Sequence, residues 1–110
     1  MTFLCSAFLI IATWVCAKSP QPPISTFSIV ARDTKTGELG VAVQSKFVAV
    51  GSVVPYARAG IGAIASQAWG NPRYGPLGLE LLSSGKSAME AVDLMTSADP
   101  HRNSRQLAII

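Results

Sequence analysis

Charge and reactive side chains are scarce in this sequence. Of its 110 residues, 14% are charged, one is histidine (His101), and the two cysteines, Cys5 and Cys16, both lie near the N-terminus. The net charge is only +3, and the lysines and arginines are scattered singly. No basic stripe exists to track a phosphate backbone, which disfavours nucleic acid as a partner. A hydrophobic fraction of 49% excludes an intrinsically disordered chain. His101 follows Asp99-Pro100 in a polar turn and no serine sits in a glycine-flanked elbow, so a Ser-His-Asp triad is disfavoured. No metal and no cofactor are expected.

What is abundant is unevenly placed. Residues 3–17 read FLCSAFLIIATWVCA, an apolar run of 15 residues without a charge. That is short of the roughly 20 residues a membrane-crossing helix needs, but it suits the core of a secretory signal. Val15-Cys16-Ala17 offers a cleavage site just before Lys18. The reading is a signal peptide over residues 1–17, a secreted or periplasmic product, and no stable membrane association once the signal is removed. No basic residue precedes the run, which leaves an uncleaved anchor or a buried helix as the alternative. Cleavage would also remove both cysteines, and with them any disulfide or thiolate metal site. Residues 18–25, KSPQPPIS, hold three prolines in eight positions and form an extended linker. The domain proper spans residues 26–110.

Within it, TFSIVAR (Thr26–Arg32) and LGVAVQS (Leu39–Ser45) are patterned as strands, and the intervening DTKTGE suits a tight reversal, so the pair is expected to be an antiparallel hairpin. An apolar stretch over residues 47–56 is broken by Gly51 and Pro55, and residues 60–66 read as a glycine-softened strand. Residues 69–78, WGNPRYGPLG, carry three glycines and two prolines and are expected to be a loop. A leucine-rich helix should follow and stop at Gly85. Ser87-Ala88-Met89-Glu90 is a capping-box pattern opening a second helix through Thr96, with an apolar stripe of Ala88, Ala91, Val92 and Met95. RQLAII at residues 105–110 reads as a strand that stops in mid-stride, and the expectation is that further sequence completes the sheet.

Two apparent motifs fail on context. Gly60-Ile61-Gly62-Ala63-Ile64-Ala65 resembles a dinucleotide fingerprint, but Gly70 and Pro72 interrupt the helix that should follow. Ser83-Ser84-Gly85-Lys86 sets Ser and Lys three apart, but a helix ending at Gly85 would not hold them on one face. Thr26 is the better nucleophile. A threonine at a free N-terminus can use its own α-amine, of pKa about 8, as the base for its hydroxyl. The hairpin would bring the end of its second strand back to Thr26, with Lys46 as electrostatic support and Ser45 or Gln44 as a hydrogen-bond partner. The plainer alternative is a strand-favouring threonine beside a solvated lysine. Trp69, Asn71, Arg73 and Tyr74 combine aromatic rings, a guanidinium and a rigid turn. They belong at the rim of a ligand cleft or, alternatively, Trp69 and Tyr74 cap the core.

The segments TFSIVARD, TGELGVAVQSKF and QAWGNPRYGPLGLELL resemble the opening of the domain-of-unknown-function family numbered 1028, placed in the N-terminal nucleophile (Ntn) hydrolase superfamily. The resemblance implies an α+β fold, the N-terminal part of a four-layer αββα sandwich, apparently truncated. It also implies hydrolysis of an amide or related bond by an N-terminal threonine or serine, here Thr26; beside it the residues themselves suggest Lys46 in the catalytic role, Ser45, Trp69, Asn71, Arg73 and Tyr74 in binding, and a small-molecule or peptide-like substrate. A homo-oligomer is a further expectation. In compact relatives the threonine directly follows the initiator methionine. Here residues 18–25 precede it, so either a second cut falls between Ser25 and Thr26 or the scaffold serves as a non-catalytic ligand-binding module.

Overall fold

A computed structural model describes residues 25–110. The segment read as a signal peptide, residues 1–17, and residues 18–24 of the expected linker lie outside the described residues. The domain is a small α+β unit of two sheets and two helices. β1 (Thr26–Arg32) and β2 (Leu39–Ser45) form an antiparallel pair, in register from Thr26 opposite Ser45 to Arg32 opposite Leu39. The reversal between them is held by Asp33, whose carboxylate accepts the backbone N–H groups of Lys35 (2.7 Å) and Thr36 (3.2 Å). Those two amides also hold the Asp33 carboxyl below its ordinary pKa.

The second sheet has the order β3–β4–β5, from β3 (Pro55–Arg58), β4 (Gly62–Ala68) and β5 (Arg105–Ile109), all antiparallel. β4 is the centre of the domain, with every residue from Gly62 to Ser66 buried. Such burial requires cover on both faces. Helix α1 (Tyr74–Ser83) lies against β4 on one side, and the hairpin brings β1 against β4 and β2 against β3. Ile64, wholly buried, meets α1 at Gly78, where a Cβ would sit 2.5 Å from the Ile64 Cδ1 atom. Gly75 is packed in the same way under the ring of Tyr56, 2.2 Å from where its Cβ would be. These two glycines allow the helix to approach the sheet at backbone distance.

That contact explains the larger of two differences from the sequence expectation. Residues 69–78 are a loop only as far as Arg73, because Tyr74 already begins α1. Pro76 falls in the first turn of the helix, where its missing N–H has no partner to lose. The strand expected over residues 60–66 is likewise displaced two residues onward, to Gly62–Ala68. The rest follows the pattern. Gly85 (φ 89°) ends α1, and Lys86 donates back to Leu81 O at 3.1 Å. α2 (Ala88–Thr96) opens on a full capping box between Ser87 and Glu90 and buries Ala91 and Met95. No helix among the described residues is long and apolar enough to cross a membrane.

Candidate functional site

Thr26 is the first residue of β1, and the register sets Ser45 directly across from it. The two hydroxyl oxygens are 2.7 Å apart, and Ser45 Oγ also accepts the backbone N–H of Phe47 at 3.0 Å. Lys46 is the next residue, beyond the last pair of the ladder. Its side chain is exposed and makes no hydrogen bond or ion pair among the described residues. The hairpin therefore juxtaposes Thr26 with Ser45, and carries Lys46 one position past it.

From the other sheet, Gln67 reaches Thr26. Its Nε2 donates to the Thr26 carbonyl (3.3 Å) and to Gln106 Oε1 (2.6 Å), its partner across the β4–β5 ladder. With both N–H groups engaged, the carboxamide orientation is fixed, and Gln67 Oε1 is buried without a partner among the described residues.

Between these groups lies a cavity of about 620 Å³, a size within the usual range for small-molecule sites. Thr26, Gln67 and Gln106 give it a polar end, while Phe47, Val53 and Trp69 contribute to its largely apolar walls, and among the described residues none that lines it is charged. Ala68 (φ 64°), which lines the cavity, and Ala49 (φ 59°), which lies between the lining residues Phe47 and Val50 in the chain, are in left-handed conformation. A side chain held there costs roughly 1–3 kcal/mol, and such strain concentrates where backbone direction matters more than comfort. Ala68 ends β4, and Trp69 after it lines the cavity while remaining 77% exposed.

The loop residues separate. Trp69 and Pro72 line the cavity. Asn71 is built into the turn, its N–H donating to the buried Ser66 hydroxyl (3.2 Å) and its Oδ1 accepting the Arg73 N–H (3.1 Å). Arg73 is exposed at the start of α1. Tyr74 is 3% exposed and belongs to the core, its hydroxyl donating to Asp99.

Asp99 is the hub of a network that sequence reasoning missed. Arg105 pairs with it through Nε and, at 3.2 Å, through Nη2, and a further Arg105 N–H donates to the Trp69 carbonyl. The guanidinium also lies 5.8 Å from the centre of the Tyr74 ring. The Arg105 guanidinium and the Tyr74 hydroxyl hold the Asp99 carboxyl well below the usual carboxylate range, while burial and then the neighbouring Asp99 push the Tyr74 phenol up. The network ties the helix exit and β5 to the backbone of Trp69, and so positions the cavity wall. Among the described residues no group of three or more His, Cys, Asp or Glu comes together to hold a metal ion.

A protein-family model described as a family of unknown function, DUF1028, matches residues 26–110. The crystal structure of a Silicibacter pomeroyi protein assigned to DUF1028 is similar to this chain at 33% identity and a TM-score of 0.71. The similarity covers 80% of this chain and 45% of that protein, so the chain spans less than half of that relative's length. No curated protein matches.

Proposed function

With the chain belonging to the DUF1028 family of unknown function, we propose that it is an exported hydrolase of the N-terminal nucleophile type, cleaving an amide or related bond on a four-layer αββα sandwich. The observation that carries the reading is the position of Thr26: it opens β1, its hydroxyl is 2.7 Å from Ser45 Oγ, and it stands at the polar end of an otherwise apolar cavity. Export rests on the charge-free apolar run of residues 3–17.

In this reading a cut between Ser25 and Thr26 frees the Thr26 α-amine. As Oγ1 attacks the substrate carbonyl carbon, the amine takes the hydroxyl proton and passes it to the leaving nitrogen when the C–N bond breaks. Water, deprotonated by the same amine, then hydrolyses the acyl ester and restores Thr26. Ser45 Oγ hydrogen-bonds the nucleophile, Lys46 adds positive charge one residue on, and backbone amides receive the developing oxyanion. Gln67 holds the Thr26 carbonyl, and with it the direction of the residue's backbone. An amide-hydrolysis screen of the processed protein tests this. Thr26→Ala should abolish turnover with the fold intact and Thr26→Ser should keep part of it, whereas wild-type turnover in Thr26→Ala would refute the reading.

A second reading is a non-catalytic ligand-binding module. The exposed Trp69 in the lining of a largely apolar cavity favours it, because that surface needs no free amine to bind. Ligand binding without turnover in a chain that begins at Thr26 would select it.

A further inference from the structure

The cavity beside Thr26 is notable for what does not line it. Among the described residues, none that lines it has a charged side chain: Asp99 and Arg105 satisfy each other, Arg105 also holds the Trp69 carbonyl, and Arg73 and Lys46 are exposed and outside the lining. A carboxylate or ammonium seated against these walls would give up hydration with no charged side chain of the lining to replace it, which is unfavourable. An apolar group would gain from leaving water and from contact with aromatic and branched side chains.

Resting on the hydrolase reading, we propose that the cavity is the acyl subsite, and that the substrate is a carboxamide whose acyl part is uncharged and apolar. The polar end supplies the matching chemistry for the amide: the Thr26 hydroxyl and the Gln67 and Gln106 carboxamides meet there, while Phe47, Val50, Val53 and Trp69 flank the space beyond. A volume of about 620 Å³ is ample for an alkyl chain or an aryl group. Phe47 and Trp69 are 58% and 77% exposed, so these aromatic walls have apolar surface still to bury against a ligand. Acyl groups that carry a charge are disfavoured by the same uncharged lining.

Calorimetric titration of the full-length chain and of its Thr26→Ala variant separates this inference from catalysis, since it reads binding alone. The probes are octanamide, the anionic succinamate and the cationic 6-aminohexanamide. Octanamide should bind both proteins at least roughly tenfold more tightly than either charged amide. Phe47→Ala and Trp69→Ala should each weaken it by up to roughly tenfold. Both side chains are largely exposed, so their truncation spares the core, and circular dichroism verifies the fold. The exposed Met89→Ala on α2 should leave octanamide binding unchanged. No octanamide binding, equal binding of a charged amide, or indifference to both aromatic truncations would overturn the subsite. Selective octanamide binding in a protein that hydrolyses no amide would uphold the subsite and remove the hydrolase reading.

Discussion

The two sheets of this domain treat the same kind of sequence alternation in opposite ways. In β4 every residue from Gly62 to Ser66 is buried, enclosed between α1 and the hairpin. In β1 the larger apolar side chains face outward, with Phe27 67% and Ile29 62% exposed, while Thr26, Ser28 and Val30 turn inward toward the second sheet. The β3–β5 sheet with its helices is therefore the mechanical base. The hairpin is a platform that delivers the first residue of its first strand to a cavity edge. Stability and candidate chemistry are consequently concentrated in different parts of one small unit.

Core truncation gives the largest expected contrast. Ile64→Ala removes a wholly buried side chain at the α1 contact and should cost about 2–5 kcal/mol in denaturant unfolding, whereas Phe27→Ala on the exposed hairpin face should change stability by about 0.5 kcal/mol or less. A hairpin substitution as costly as the core one would break the division.

The Asp99 network comes next, because it joins the base to the site. Asp99→Asn should lower Tm and loosen Trp69, visible as a shift in its fluorescence. The sign with pH follows from the depressed carboxyl of Asp99. Its stabilising contribution is complete above the ordinary carboxylate pKa of about 3.9 and is lost as the pH falls through the lower folded value. The stability gap between wild type and Asp99→Asn should therefore be widest near neutrality and should narrow in acid. A gap independent of pH would show that Asp99 acts by packing rather than by charge.

The smallest effect concerns α2 alone. Ser87→Ala removes the hydroxyl that accepts the Glu90 N–H at 3.2 Å and should cost about 1 kcal/mol, without altering any property of the Thr26 cavity. A change in ligand binding on this substitution would show that the base and the platform are less separate than their packing suggests.

Local features were legible in the sequence because local chemistry decides them. The Asp33 reversal, the capping box at Ser87, the stop at Gly85 and the apolar stripe of α2 all depend on residues a few positions apart. The start of α1 was not legible: Gly75, Pro76 and Gly78 look like breakers until Tyr56 and Ile64 are seen against the helix. The site was legible in the same partial way. Thr26 and Ser45 meet through the register of one hairpin, whose turn is visible in the sequence. Gln67 acts on Thr26 from 41 residues away, and Arg105 reaches Trp69 from 36. Such pairings follow from how the β4–β5 ladder and the two sheets come together, and no periodicity announces them.

The central claim is that Thr26 acts through its own amine, and it is tested most directly by matching the N-terminus to activity. The full-length chain should be produced with export, its products separated by mass and sequenced from the N-terminus, and each species assayed on the same acyl amide. The account predicts that turnover belongs to the species beginning at Thr26 and is absent from those that retain residues ahead of it, because an acylated nitrogen is a poor base. Equal turnover in species that still carry Ser25 would contradict it.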